Sequence, residues 1–185
     1  FWLNGWIEEQ YIFPDFHFKY FGFYWVPNLP DWGYYLSFAL MALSALGIAL
    51  GAFYRISATL FFILFTGIEL IDATYYLNHY YFVSVISFLL IFVPAHRMYS
   101  LDVRLGLIKL RDSVPALSIY LIMFQLGLVY FLAGIAKINS DWLFEAMPLS
   151  IWLPAQDDFP LIGSLFQYKL TAFAFSWGGM FYDLL

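Results

Sequence analysis

Ionisable side chains are rare in this chain, and several fall in or beside its apolar segments, where a charge is costly. Glu69 and Asp72 are three residues apart, a spacing that places both carboxyl groups on one helical face. His79 follows them, Lys137 comes directly after a long apolar run, and Asp183 lies in the last apolar segment. Carboxyl, imidazole and amine groups together can carry out general acid–base chemistry.

Lys137 is the sharpest candidate for a catalytic group. A lysine in an apolar pocket gives up its proton more readily than one in water, and the neutral amine is a usable general base. Asp141, about one helical turn on, would oppose this if its carboxylate came close. The structural alternative is that Lys137 extends its ammonium to the membrane interface, as lysines near helix ends do.

The other candidates have structural interpretations as well. His79, in a turn beside tyrosines, could be a capping or interfacial residue. Asp72 could cap a helix or form a structural pair, and Glu69 could be protonated and hydrogen-bonded between helices. The chain has no cysteine, which excludes a cysteine metal site, and no metal site is predicted.

The composition indicates which solvent surrounds these residues. Of the 185 residues, 63% are hydrophobic and 11% are charged, whereas a soluble domain carries about 25% charged residues. Aromatic residues make up 24%, with tyrosine and tryptophan near the ends of the apolar runs, as in interfacial belts. We therefore expect a lipid bilayer around much of the chain.

Five apolar segments predict an all-α fold, a polytopic transmembrane helix bundle, because about 20 residues cross a bilayer as helix. These segments are 34–53, 57–76, 80–95, 116–136 and one from about 161 to the end. Residues 1–6 could end an earlier span. Both ends of the chain lie in apolar or aromatic stretches, which suggests a piece of a longer protein, with an intact short subunit as the alternative.

Basic residues are distributed unevenly between the two sides that these spans define. One side carries Arg55, Arg97, Arg104, Lys109 and Arg111, and the other carries Lys19 and Lys137. The positive-inside rule makes the arginine-rich side cytoplasmic. Its arginines would be an orientation signal or contact lipid headgroups. Asp72, His79 and Lys137 would then share the exoplasmic face, where neighbouring helices could bring them around one cavity.

Two motifs of the vitamin K-dependent gamma-glutamyl carboxylase family resemble segments of this chain, residues 70–81 (LIDATYYLNHYY) and 129–142 (VYFLAGIAKINSDW). That family shares its horizontally transferred transmembrane (HTTM) domain with many bacterial proteins. Further resemblances are at 54–57, 94–97, 100–102 and 177–179 with Asp183, and those at 5–9 and 16–18 look like the bacterial branch. The resemblance covers residues 1–185 as one transmembrane domain, without the family's exoplasmic C-terminal domain.

The resemblance implies a reaction and a set of site residues. Reduced vitamin K (the hydroquinone) is deprotonated by a lysine and reacts with O2, and CO2 is then added to a glutamate of a peptide substrate. Lys137 corresponds to that lysine and His79 to a histidine that organises the quinone. Further quinone- or substrate-binding candidates are Asp72, Asn78, Asp141, Trp142 and Asp183.

The same resemblance implies partners and a location. Besides the bilayer, the partners would be a glutamate-containing peptide or protein and, in one alternative, a larger membrane complex. The net charge of −5 argues against nucleic acid. The expected location is the bacterial cytoplasmic (inner) membrane, with Lys137 and His79 at the exoplasmic face.

Two other functions stay open at this point. Ala136 and Ala73 stand where the animal enzymes have lysines, and Leu77 replaces an asparagine of the motif. These departures leave room for a non-catalytic HTTM scaffold or anchor subunit. A quinone-binding oxidoreductase subunit without carboxylation is a third alternative. A channel or transporter is disfavoured, because the sequence has no inverted repeat.

Overall fold

A computed structural model describes residues 5–185, and all their regular structure is helical. The longer helices are α1 (Asp31–Leu50), α2 (Tyr54–Glu69), α3 (Asn78–Phe92), α5 (Ala116–Ala136) and α8 (Lys169–Leu184). The short ones are α4 (Leu101–Arg104), α6 (Ser140–Phe144) and α7 (Leu149–Trp152). Single helical turns occur at Glu8–Ile12, Ala73–Tyr75, Ala95–Arg97, Pro154–Gln156 and Gly163–Gln167. The all-α prediction is confirmed for the described residues.

The chain divides into two compact units at Ile122, within α5. In the N-terminal unit, α1 packs against α2 and α2 against α3. The core of this unit contains Ile7, Tyr11, Val26, Tyr34, Ile68 and Ile71. Tyr11 stacks on Tyr34 with 5.6 Å between ring centroids. The segment before α1 thus packs onto the helices, and its side chains help to shape the surface beside α2.

A buried aspartate holds the turn between α1 and α2. Asp102 accepts hydrogen bonds from the backbone N–H groups of Phe53 (2.7 Å) and Tyr54 (3.1 Å), where α2 begins. Gly51 ends α1 with φ of 62°. A Cβ there would lie 2.4 Å from the Ser100 Cβ, so only glycine allows the segment before α4 to approach this closely. Asp102 therefore satisfies amide groups that the start of α2 would otherwise leave unpaired.

The C-terminal unit is built on α8, against which α6 and α7 pack. Gly134 of α5 faces the end of α8. A Cβ at Gly134 would lie 2.7 Å from the Cγ of Leu184, so the absence of a side chain lets the two helix ends meet.

Two of the described helices, α1 and α5, are long and apolar enough to cross a membrane. A third span is formed if α3 is counted with the segment Ala95–Arg104, which bends away from it by 49°. Helices α2 and α8 have 16 residues each, short of the roughly 20 that cross a bilayer as straight helix. The membrane environment is supported, and the number of five spans stays a prediction.

Two predicted segment boundaries were wrong. The second helix ends at Glu69 rather than at residue 76, because Asp72 is extended (φ −142°, ψ 117°) and its side chain starts a separate turn. The last helix begins at Lys169 rather than near residue 161, after the turn Gly163–Gln167. The proposed earlier span at 1–6 falls mostly on residues 1–4, outside the described part of the chain.

Candidate functional site

Asp72 is the most highly connected carboxylate of the N-terminal unit. It is buried just beyond the end of α2. It accepts hydrogen bonds from the backbone N–H of Thr74 (2.9 Å) and from the Thr74 hydroxyl (2.8 Å). Its other oxygen lies 3.0 Å from Nδ1 of His17. Burial raises the pKa of Asp72, but the hydrogen bonds from Thr74 and His17 outweigh it and hold the pKa below its ordinary value.

The partner of Asp72, His17, was not among the predicted site residues. It is buried, and its segment is tied to the same turn by a 2.7 Å hydrogen bond from the Ala73 N–H to the Phe18 carbonyl. The sequence carried two signals for it: the chain has three histidines in all, and residues 16–18 look like the bacterial branch of the family. Asp72 is thus both a cap and a member of a pair, which combines the two structural alternatives considered for it.

Glu69, at the end of α2, accepts a hydrogen bond from the Ser84 hydroxyl of α3 at 3.1 Å. This contact joins two helices, as the structural interpretation of Glu69 expected. Since Glu69 and Asp72 both line the same cavity, the end of α2 presents two carboxyl groups to one space.

That cavity has a volume of about 510 Å³ and lies beside α1 and α2. Its wall is largely aromatic, and includes Trp6, Tyr11, Tyr20, Phe61, Phe65 and Tyr80. Burial raises the pKa of Tyr11 and of Tyr20, so both present neutral hydroxyl groups. An apolar wall of this size with a few polar groups is typical of small-molecule sites.

Asn78 and His79 lie in the first turn of α3 and are exposed in the described chain. The His79 ring meets the ring of Tyr80 edge-on, with 4.6 Å between centroids. Tyr80 itself lines the aromatic cavity. His79 is therefore one residue removed from the cavity wall, on the accessible side of α3.

In the C-terminal unit, Lys137 follows α5 directly and donates a hydrogen bond to the carboxylate of Asp183 in α8. Its Nζ also lies 5.4 Å from the centre of the Trp142 ring, a cation–π contact. The side chain of Lys137 is 23% exposed and that of Asp183 is 11% exposed. Three of the predicted site residues thus meet, and the amine stays partly accessible.

The loop after Lys137 is held to α8 by reciprocal hydrogen bonds. The Trp142 indole N–H donates to the Ser176 carbonyl at 2.7 Å, and the Ser176 hydroxyl donates to the Trp142 carbonyl at 2.9 Å. Asn139 caps α6 by accepting from the Trp142 backbone N–H at 3.0 Å. These bonds fix the ring over which the Lys137 ammonium lies.

Asp141 was expected to be the carboxylate that could oppose deprotonation of Lys137. Its carboxylate instead accepts a 3.3 Å hydrogen bond from the neighbouring Ser140 hydroxyl. Asp183 is the carboxylate that meets the lysine. The expectation that Asp72, His79 and Lys137 surround one cavity stays a prediction, because the first two belong to the N-terminal unit and Lys137 to the C-terminal one.

The family comparison covers both units. The HTTM domain model matches residues 1–185. No solved structure matches the chain.

Proposed function

Because the chain belongs to the HTTM domain family, we propose that it acts as a vitamin K-dependent gamma-glutamyl carboxylase-like membrane protein. HTTM domains are associated with carboxylase-like membrane proteins of this kind. The proposed activity couples oxidation of a hydroquinone to its epoxide with carboxylation of a peptide glutamate. The observation that carries the proposal is the partly accessible amine of Lys137, held between a carboxylate and an aromatic ring.

Lys137 has the role of the base that takes the hydroquinone proton at Nζ. A base must be oriented and reachable, and both conditions depend on its neighbours. The Trp142 ring and Asp183 orient the amine, while the 23% exposure of its side chain keeps it reachable. Asp183 Oδ2 is in hydrogen-bond contact with Nζ and holds its position, and the exposed part of the side chain gives the lysine a route to release its proton to water before the next turnover.

The aromatic cavity is the part of the N-terminal unit that fits a quinone. Its volume of about 510 Å³ lies within the roughly 300–1,000 Å³ of small-molecule sites. Planar rings such as Phe65 and Tyr80 can stack on a quinone ring. Phenol hydroxyl groups such as those of Tyr11 and Tyr20 can donate hydrogen bonds to its oxygens. Bound reduced vitamin K, with O2 and CO2 as co-substrates, supplies the strong base that carboxylation of glutamate requires.

The first experiment compares Lys137→Ala with the parent protein in membranes. Vitamin K epoxide formation and uptake of labelled CO2 into a glutamate-rich peptide are followed together. We expect both rates to fall about 100-fold or more in the variant, the usual contribution of a general base. Lys169→Ala is the matched control, since Lys169 also lies over an aromatic ring, at 5.8 Å from the centre of Phe173. Full activity in Lys137→Ala would show that Lys137 is not the base.

A second variant tests the cavity separately from the base. Ala42 lines the aromatic cavity, so Ala42→Phe places a ring inside it. We expect a higher KM for the hydroquinone with Lys137 intact. Ala39→Phe, on the same helix but outside the cavity wall, is the control. Equal kinetics in both variants would locate the quinone elsewhere.

The scaffold alternative is favoured by one observation, that the Lys137–Asp183 pair joins the ends of α5 and α8. A structural pair tolerates exchange of its charges, whereas a catalytic amine does not. The double variant Lys137→Asp, Asp183→Lys would retain stability and partner binding in a scaffold. In a carboxylase it would retain stability and lose both epoxidation and carboxylation.

A further inference from the structure

A second cavity, of about 370 Å³, lies in the N-terminal unit where α2 begins, α3 ends and α5 begins. Three arginines line it: Arg55 in the first turn of α2, Arg97 after α3, and Arg111 in the segment before α5. The aromatic cavity lies at the opposite end of α2, beside Glu69 and Asp72. The two ends of this helix therefore present opposite charges.

Backbone and side-chain hydrogen bonds hold the arginines in place. The Arg111 N–H donates to the Arg97 carbonyl at 3.0 Å, which brings the segment before α5 against the turn after α3. A guanidinium N–H of Arg55 donates to the Ile91 carbonyl at 3.0 Å, near the end of α3. The first bond joins backbone atoms only, and the second uses one donor of the Arg55 guanidinium, which has five in all.

The three guanidinium groups have no carboxylate partner within 4.0 Å among the described residues. Asp102, which is close in sequence, is already engaged by the backbone N–H groups of Phe53 and Tyr54. Asp112, next to Arg111, forms no ion pair with it in the described chain. Three positive charges around one cavity, with no carboxylate paired to them in the described chain, favour binding of an anion.

The remaining wall of this cavity indicates what carries the anion. It is mostly apolar, with Phe92 and Val93 from the end of α3 and Leu117 and Leu121 from the first turns of α5. Helix α5 is one of the two described helices that are long and apolar enough to cross a membrane, so the cavity lies where a span begins. The first turn of α5 also adds the Ser118 hydroxyl and the positive end of a helix dipole.

We infer that this cavity binds the phosphate group of an anionic phospholipid, with Arg55, Arg97 and Arg111 on the phosphate and the apolar wall against an acyl chain. Guanidinium groups match phosphate oxygens with paired hydrogen bonds, and a lipid presents that phosphate at the level where α5 starts. The inference is independent of the proposed carboxylase activity.

The test uses the full chain in micelles of an uncharged detergent. Binding of phosphatidylglycerol is measured by native mass spectrometry and by the shift in thermal unfolding, with phosphatidylcholine and inorganic phosphate as separate arms. We expect phosphatidylglycerol to bind and stabilise, and the other two to do so much less. If phosphatidylcholine binds and stabilises the protein as well as phosphatidylglycerol does, the cavity does not recognise the negative charge and the proposal is refuted. If only inorganic phosphate stabilises the protein, the ligand is not a lipid and the proposal is also refuted.

Variants locate the site within the chain. We expect Arg97→Gln with Arg111→Gln to weaken phosphatidylglycerol binding about 25-fold, at about fivefold for each basic residue near an anionic surface. Arg104→Gln is the matched control, an exposed arginine of the same segment outside the cavity wall. Unchanged binding in the double variant, or equal loss in the control, would refute the site. The lipid comparison on the parent protein decides the question even if a variant fails to fold.

Discussion

His17–Asp72 and Lys137–Asp183 both pair a basic with an acidic side chain, but their surroundings differ. The side chains of His17 and Asp72 are 3% and 4% exposed, whereas those of Lys137 and Asp183 are 23% and 11% exposed. Asp72 also accepts two hydrogen bonds from Thr74. The first pair is therefore built into the fold, and the second leaves an amine partly accessible.

This difference has an energetic consequence. Removing one member of a buried pair leaves a charge or a polar group without a partner in a place that water does not reach. Removing one member of a partly exposed pair leaves a group that water can solvate. Stability should therefore depend mainly on the N-terminal pair and the proposed activity mainly on the C-terminal one.

The largest effect is expected for Asp72→Ala. It leaves His17 and both Thr74 donors unpaired, and we expect a loss of about 3–5 kcal/mol in the free energy of unfolding. The same change at Asp183 should lose about 1 kcal/mol or less, since Lys137 can reach solvent. Denaturant unfolding of both variants in detergent measures the two losses. Similar values would show that the two pairs contribute equally to stability, contrary to this prediction.

A smaller loss, of about 2 kcal/mol, is expected for His17→Ala, which removes one hydrogen bond to a charged group and leaves those from Thr74. His17→Asn is the informative companion, because an amide N–H can replace the Nδ1 donor. We expect it to recover at least half of the lost stability in the same unfolding measurement. If both variants are equally unstable, the hydrogen bond to Asp72 is not what His17 contributes.

Trp142→Phe should lose about 1 kcal/mol, because it keeps the ring beneath Lys137 but removes the hydrogen bond to the Ser176 carbonyl. Trp152→Phe is the control, since Trp152 is exposed. Its stability should change by less than about 0.5 kcal/mol. A larger loss in the control would show that ring size, and not the indole N–H, determines the effect.

The smallest expected effect is the loss of thermal stability at acidic pH. The pKa of Asp72 is lowered in the folded chain, so its stabilising contribution is present above the ordinary aspartate pKa of about 3.9 and is lost as the pH falls through the folded value. The melting temperature should therefore decline below about pH 4. Asp72→Asn, which carries no titrating group there, should show a shallower decline. Parallel curves for the two proteins would assign the acid sensitivity to other carboxyl groups.

Much of the helical architecture was predictable because it depends on local signals. The segment 116–136 was predicted with the bounds of α5, since an uninterrupted apolar run both forms a helix and can cross a bilayer. The end of α2 was less predictable. Residues 70–76 are apolar enough to continue the helix, but the Asp72 side chain bonds to Thr74 and starts a new turn.

The sequence by itself determined the all-α class, the apolar segments and the choice of Asp72, Lys137 and Asp183 as candidate site residues, because a rare ionisable residue in an apolar chain is conspicuous wherever it occurs. Only the tertiary structure decided the partners. His17 is 55 residues from Asp72, and Asp183, not the nearby Asp141, meets Lys137 across 46 residues. Helical spacing relates residues three or four apart. Which distant side chains meet depends on how helices and loops pack, and local sequence patterns do not specify that packing.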